Sequence, residues 1–305
     1  MTLDPEIAAW VEAYPAPDVD PRDVDAVRAI YGDYMADRGG PQPVESHPDV
    51  RLESAHINGV GVLIWSPRRP EPRTPVVVAL HGGAFVVGHP LGAERIAVPL
   101  AAQHGIITVS VAYRLSPEHR APAALDDGMA VLTGIVGVET DRVAVHGSSA
   151  GACLAAGIAL RARDGGIRLA LQSLSCPVVD PRAMHASDPD HSAHGESPTL
   201  ARAAVIAAWE HYLGDAIANP PPYAAPALME DISGTAPAHV VVAEYDVLRD
   251  EGLEYAWRLS SSGVPTTVER FGGTVHGFDG LLPDSSVGQR AISSQVGALA
   301  RALLG

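Results

Sequence analysis

The chain has 305 residues, of which 47% are hydrophobic and 19% charged. That gives room for one large domain or two small ones and excludes wholesale disorder. The 21 Lys and Arg against 36 Asp and Glu leave a formal charge of −15. An acidic surface repels phosphate backbones and anionic lipid, so nucleic acid and membrane surfaces are poor partners. The N-terminal residues carry Asp4 and Glu6 and lack a basic region followed by an apolar run. No apolar stretch reaches the roughly 18 residues that a membrane span needs. Cys153 and Cys176 stand among small or apolar neighbours and read as buried thiols. We expect a soluble, cytoplasmic protein.

Residues 1–45 read as helical and detachable, the first part of a cap. Asp20 suits a helix cap, with Pro21 at the first helical position and Asp23 in the first turn. Val24, Val27, Ile30, Tyr31 and Tyr34 recur at helical spacing until Gly39, Gly40, Pro41 and Pro43 break the pattern. From residue 46 to 305 the texture is that of one catalytic domain. Strands are predicted over 51–57, 60–65, 76–80, 106–111, 142–146, 169–174, 239–243 and 266–271. The run Val76-Val77-Val78-Ala79-Leu80 is apolar without alternation, as in parallel strands buried on both faces. Helices over 150–163, 251–261 and about 287–304 complete an α/β layering with a mostly parallel eight-stranded sheet. About 181–222 reads as an insertion after the sixth strand, with a helical run over 199–213. With the N-terminal helices it would form a cap over the C-terminal edge of the sheet.

Two glycine-rich turns follow predicted strands. His81-Gly82-Gly83-Ala84-Phe85 ends the third strand, and unhindered N–H groups at Gly82 and Gly83 suit the stabilisation of a developing oxyanion. His81 reads as a residue that pins this loop, since it lies too close to it to shuttle protons. Val145-His146-Gly147-Ser148-Ser149-Ala150-Gly151 is a strand running into Gly-x-Ser-x-Gly and then a small-residue helix. That context holds Ser149 on a sharp turn, with the N–H of Ala150 as a further donor. A serine nucleophile needs a base, and the base an orienting carboxylate, in the order serine, acid, histidine. Six histidines follow Ser149, at 185, 191, 194, 211, 239 and 276. His276 lies in a glycine-flanked loop past the eighth strand and is favoured. Asp246 follows the seventh strand and is the favoured acid. Glu244 suits a structural role, and Asp250 and Glu251 the cap of the next helix.

Taken with further stretches in the same order, these motifs resemble the bacterial hormone-sensitive-lipase-like family of α/β-hydrolase esterases. The further stretches are Tyr113-Arg114-Leu115-Ser116-Pro117-Glu118-His119, Pro122-Ala123-Ala124-Leu125-Asp126-Asp127 and Asp246-Val247-Leu248-Arg249-Asp250-Glu251-Gly252. The resemblance runs from about residue 46 to the end. Tyr223-Ala224-Ala225-Pro226 and Glu254-Tyr255-Ala256 are similar to the heroin-esterase-like members. It implies an α/β-hydrolase fold, Ser149 as nucleophile, His276 as base and Asp246 as its orienter. It also implies an oxyanion hole from the N–H groups of Gly82, Gly83 and Ala150, and no cofactor. Two positions depart from the family pattern. Ser148 stands where Asp is usual, removing a charge beside the nucleophile, and Ala84 replaces a third glycine.

His185, His191 and His194 with Asp188 and Asp190 lack the spacing of a metal site, and a solvated cap loop is expected there. Glu118, His119 and Asp126 read as structural. Phe85, Trp209 and Tyr212 suit either an acyl or alcohol pocket or the packing of the cap helix. The eighth strand would be an edge, and two copies of the chain are expected to pair there with help from the C-terminal helix. The function expected is hydrolysis of short-chain carboxylic esters through an acyl-enzyme. An amidase or peptidase with the same triad, or a non-catalytic binder on the same scaffold, are the alternatives.

Overall fold

Every side chain of Val76–Leu80 is buried, so this strand has a helix layer on each side. A computed structural model describes residues 2–16, 18–37, 47–137, 140, 142–182 and 197–305. The strands are β1 (Val50–Ile57), β2 (Val60–Pro67), β3 (Val76–Leu80), β4 (Ile107–Val111), β5 (Val143–Ser148), β6 (Gln172–Ser175), β7 (Ala238–Tyr245) and β8 (Thr266–Val275). They form one eight-stranded sheet in the order β1-β2-β4-β3-β5-β6-β7-β8. β1 pairs antiparallel with β2, and β2 with β4; the other pairs are parallel. Asn58 and Gly59 both take positive φ, 48° and 83°, which suits the two-residue turn joining β1 to β2.

The helices are α1 (Pro5–Ala13), α2 (Val24–Asp37), α3 (Glu94–His104), α4 (Ala123–Ile135), α5 (Ala150–Asp164), α6 (Arg202–Leu213), α7 (Arg249–Ser261), α8 (Phe278–Leu281) and α9 (Ser286–Leu304). Successive strand residues point to opposite faces. Val77 and Ala144 therefore meet Ile96 and Leu100 of α3 and Val296, Leu299 and Leu303 of α9. Val76, Val78, Val143 and Val145 meet Leu125 and Leu132 of α4, Leu154 and Ile158 of α5, and Leu259 of α7. Each buried Leu or Ile contributes about 1.5–3 kcal/mol. The parallel strands all present their C-terminal ends at one edge of the sheet, and the site is built there.

Several expectations shift. β6 spans Gln172–Ser175, so 169–171 precede the strand. β8 continues to Val275, so the segment read as a loop after residue 271 is largely strand. α2 begins at Val24, and Asp23, not Asp20, accepts the N–H of Ala26; Asp20 accepts that of Arg22 in the preceding turn. Nor does the N-terminus behave as a detachable piece. Ile7 of α1 is fully buried beside Val275, Phe278 and Val287, and the N–H of Asp4 donates to the carbonyl of Gly273. The predicted cluster of His185, Asp188, Asp190, His191 and His194 lies outside the described residues.

Candidate active site

Ser149 joins β5 to α5 with φ 54° and ψ −120°. Such a backbone is sparsely populated for any residue with a side chain and persists only where its surroundings demand it. The surroundings here are crowded. A Cβ on Gly147 would stand 2.1 Å from the Gly151 carbonyl oxygen, and one on Gly151 would stand 2.1 Å from that of Leu80. Both positions therefore require glycine. The N–H of Ser149 donates to the carbonyl of Ser175 (2.8 Å), which fixes the turn to the end of β6.

His276, the first residue after β8, brings Nε2 to 2.9 Å from Ser149 Oγ. Its Nδ1 lies 2.7 Å from Asp246 Oδ2, at the end of β7. With Nδ1–H donating to the carboxylate, Nε2 is left to accept the serine proton. Asp246 is buried, and its Oδ1 accepts the N–H of Leu248. Burial works against a charged His276 imidazole, but the charge and hydrogen bond of Asp246, then the charge of Asp279, outweigh it; the pKa lies above the usual histidine value. The loop is held from above by Thr199, whose hydroxyl donates to the His276 carbonyl. The rivals for the acid lie elsewhere. Glu244 accepts the N–H of Gly273 and pairs with Arg270. Asp250 pairs with Arg249, and Glu251 turns inward to accept the N–H of Val179 instead of capping its helix.

Gly82 comes up against Ser149: a Cβ there would stand 3.5 Å from the serine Cβ. Among the described residues the N–H groups of Gly82, Gly83 and Ala150 donate to no partner. Gly83 has φ 125° and Ala84 has φ 51°, so the loop runs through the left-handed region with a side chain at its third position. His81 is buried, stacks on Tyr113 and brings Nδ1 to 2.8 Å from the Gly82 carbonyl. Burial holds its pKa down at about 4, so it is neutral and pins the loop. Phe85 stacks on Tyr212 with ring centroids 4.0 Å apart and tilts against Trp209. All three rings are buried and join the loop of residues 81–85 to α6. Glu118 pairs with Arg28, and Asp126 with Arg161.

Sequence reading missed Asp279 and its partner Ser175, three residues past His276 and at the end of β6, while Cys176 is buried as expected. A signal existed: Asp279 is the one charge within Phe278-Asp279-Gly280-Leu281-Leu282. Cys176, at φ 45°, places its sulfur within 4.8 Å of ligand atoms of Asp246 and His276. That is the only grouping of three His, Cys, Asp or Glu side chains among the described residues near enough to share an ion, and its Asp and His already bond to each other.

Residues 77–280 match the α/β-hydrolase fold family. Esterase LipI of Mycobacterium tuberculosis is 36% identical over 264 residues, covering 78% of this chain and 78% of its own. The chain belongs to the hormone-sensitive-lipase-like family of α/β-hydrolases. As a member it is a serine carboxylesterase. The likeness to other members extends over the full length. An arylesterase of Saccharolobus solfataricus is 30% identical over 309 residues, 98% of each chain. A solved bacterial heroin esterase superposes with a TM-score of 0.88 at 32% identity, covering 99% of this chain and 98% of that one. No helix among the described residues is long and apolar enough to cross a membrane.

Proposed function

We propose that the protein hydrolyses short-chain carboxylic esters with Ser149 as nucleophile, His276 as general base and acid, and Asp246 as orienter. The observation that carries this is the unbroken Ser149–His276–Asp246 chain of hydrogen bonds, 2.9 and 2.7 Å, starting on a strained turn. Ser149 Oγ attacks the ester carbonyl as its proton passes to His276 Nε2. Asp246 holds the imidazole by Nδ1–H and stabilises the imidazolium. The oxyanion of the tetrahedral intermediate accepts from the N–H groups of Gly82, Gly83 and Ala150, whose lack of a partner among the described residues supports this role. Collapse breaks the C–O bond, and the alcohol leaves with the proton from His276. Water then gives a proton to His276, attacks the acyl carbon and frees the acid and Ser149. Ser149→Ala is expected to lose at least about a thousandfold in p-nitrophenyl acetate turnover. Wild-type turnover in the variant would place the chemistry elsewhere.

The short-acyl preference rests on the cap. We read residues 1–45 and about 181–222 as its two parts, over a catalytic domain of 46–305. Arg22 pairs with Glu210 of α6, and Arg28 of α2 reaches the carbonyls of Val86 and Ser116 beside the oxyanion loop. Phe85, Trp209 and Tyr212, expected either in an acyl or alcohol pocket or in cap-helix packing, are wholly buried against one another, so we read them as the packing that holds residues 81–85 and α6 together behind a small pocket. Acetyl and butyryl esters should turn over at least about tenfold faster than emulsified long-chain ones, a discrimination of the order that hydrophobic pocket size supplies. Comparable rates would refute the enclosed pocket. We further read the protein as a cytoplasmic homodimer joined along β8 and α9. The free, buried Cys153 and Cys176 suit that compartment.

A further inference from the structure

Three residues past His276, Asp279 is wholly excluded from solvent. Four elements converge on its carboxylate. Oδ2 accepts from Gln295 Nε2 of α9 (2.9 Å) and from Ser175 Oγ at the end of β6 (3.2 Å), and Arg95 Nη2 of α3 lies 3.7 Å away. His146 of β5 is the fourth neighbour, and burial holds it neutral, with a pKa of about 3. Cys176 also faces the group and stays a thiol, its pKa pushed up by burial and by Asp246 and Asp279. Oδ1 of Asp279 and Nε of Arg95 have no hydrogen-bond partner among the described residues, so the pair is not closed in the usual forked geometry.

A carboxylate here costs desolvation that an amide of the same shape would avoid. Burial pushes its pKa up, but the charge of Arg95 and the hydrogen bonds of Gln295 and Ser175 more than offset this, and the group is ionised. Its position relates it to the reaction at two points. Ser175, which donates to Asp279, also accepts the Ser149 N–H through its carbonyl. Beyond Gly277, the helix that carries Asp279 is the direct continuation of the His276 loop. The negative charges acting on His276 are then Asp246, 2.7 Å from its Nδ1, and Asp279, with the opposing charge of Arg95 beside Asp279.

We propose that Asp279 is a positioning residue for the ester hydrolysis argued above: it ties the His276 loop to β6 and α9 and sets a second negative charge near the imidazolium that forms as Ser149 attacks. The inference rests on that reading of the site. No bond is made or broken at Asp279; the proton stays on His276 until the alcohol or Ser149 takes it.

The test is Asp279→Asn, with kcat and kcat/KM for p-nitrophenyl acetate measured from about pH 5 to 9. Loss of one charge near the imidazole should move the acid limb of kcat/KM down by about one pH unit. Plateau kcat should fall about tenfold with KM little changed. An acid limb that stays in place, even with kcat reduced, would mean a purely structural role and overturn the proposal. If Asp279→Asn does not fold, Ser175→Ala decides, because it keeps the charge and cuts one tether. Its kcat should drop several-fold with the acid limb in place, and a wild-type kcat would overturn the proposal. Ser149→Ala measured alongside separates the two readings. If it retains wild-type rates, the underlying esterase site is wrong. If it is inactive while Asp279→Asn behaves as wild type, only the role of Asp279 falls.

Discussion

In the proposed mechanism, His276 is neutral when it takes the Ser149 proton and charged a moment later. Asp246 and Asp279 favour the charged form strongly enough to overcome burial and raise the pKa. The sign of the pH dependence follows. Protonated His276 cannot act as a base, so kcat/KM should fall as pH drops through a midpoint above the ordinary histidine value of about 6.5. A kcat/KM profile with its acid midpoint below 6 would contradict this arrangement. The residues that define the Ser149 turn were legible because their demands are local: Gly147 and Gly151 each face a carbonyl 2.1 Å from where a Cβ would stand. Asp279 and Ser175 were not, because their roles depend on α3, α9 and β6 meeting, and their sequence separations of 16 and 104 residues carry no pattern.

At the scale of elements, Glu251 shows how packing overrides a local rule. An acidic residue in the first turn of a helix suits the helix dipole, and Glu251 occupies that turn of α7. It is buried instead, with Oε1 accepting the N–H of Val179 at 2.6 Å and Oε2 unpartnered among the described residues. Burial, the largest influence, pushes its pKa up to about 8. An acid whose folded pKa lies above its unfolded one contributes stability below the unfolded value, about 4.5, and loses it as pH rises through the folded value. Glu251→Gln should match wild type near pH 4.5. It should be more stable at pH 9 by on the order of 5 kcal/mol. Parallel melting curves across pH would count against a buried, neutral Glu251. The extension of β8 to Val275 has a similar origin. Pairing of Tyr245 with Val275, beyond the irregularity between Ala243 and Tyr245, continues the strand through Gly272 and Gly273, residues that alone suggest a turn.

At the scale of the molecule, the strand order leaves β8 unpaired on one side. An open edge is a template for another chain unless covered. Val268 on β8 is 42% exposed and Trp257 on α7 is 69% exposed, both large apolar side chains left in water. The homodimer proposed above would cover this edge. Sedimentation at about 10 µM should show a dimer, and Val268→Lys should shift it toward monomer, since edge lysines oppose strand pairing. A wild-type monomer at that concentration would rule out the pairing.

The sequence by itself determined the α/β layering, seven of the eight strands to within a few residues at each end, and the choice of Ser149, Asp246 and His276 as side chains that the fold brings into hydrogen-bonding contact. Each depends on short-range regularities: unbroken apolar runs for buried parallel strands, and glycines where backbone comes closest to backbone. Tertiary structure alone decided which polar groups are buried and what meets them. It turned Glu251 inward, docked Ile7 of α1 into the core, packed Phe85 under α6 and gathered Arg95, Ser175 and Gln295 around Asp279. The physical reason is distance along the chain. Desolvation and charge depend on every group within several ångströms in space, and most of those neighbours lie tens to hundreds of residues away in sequence.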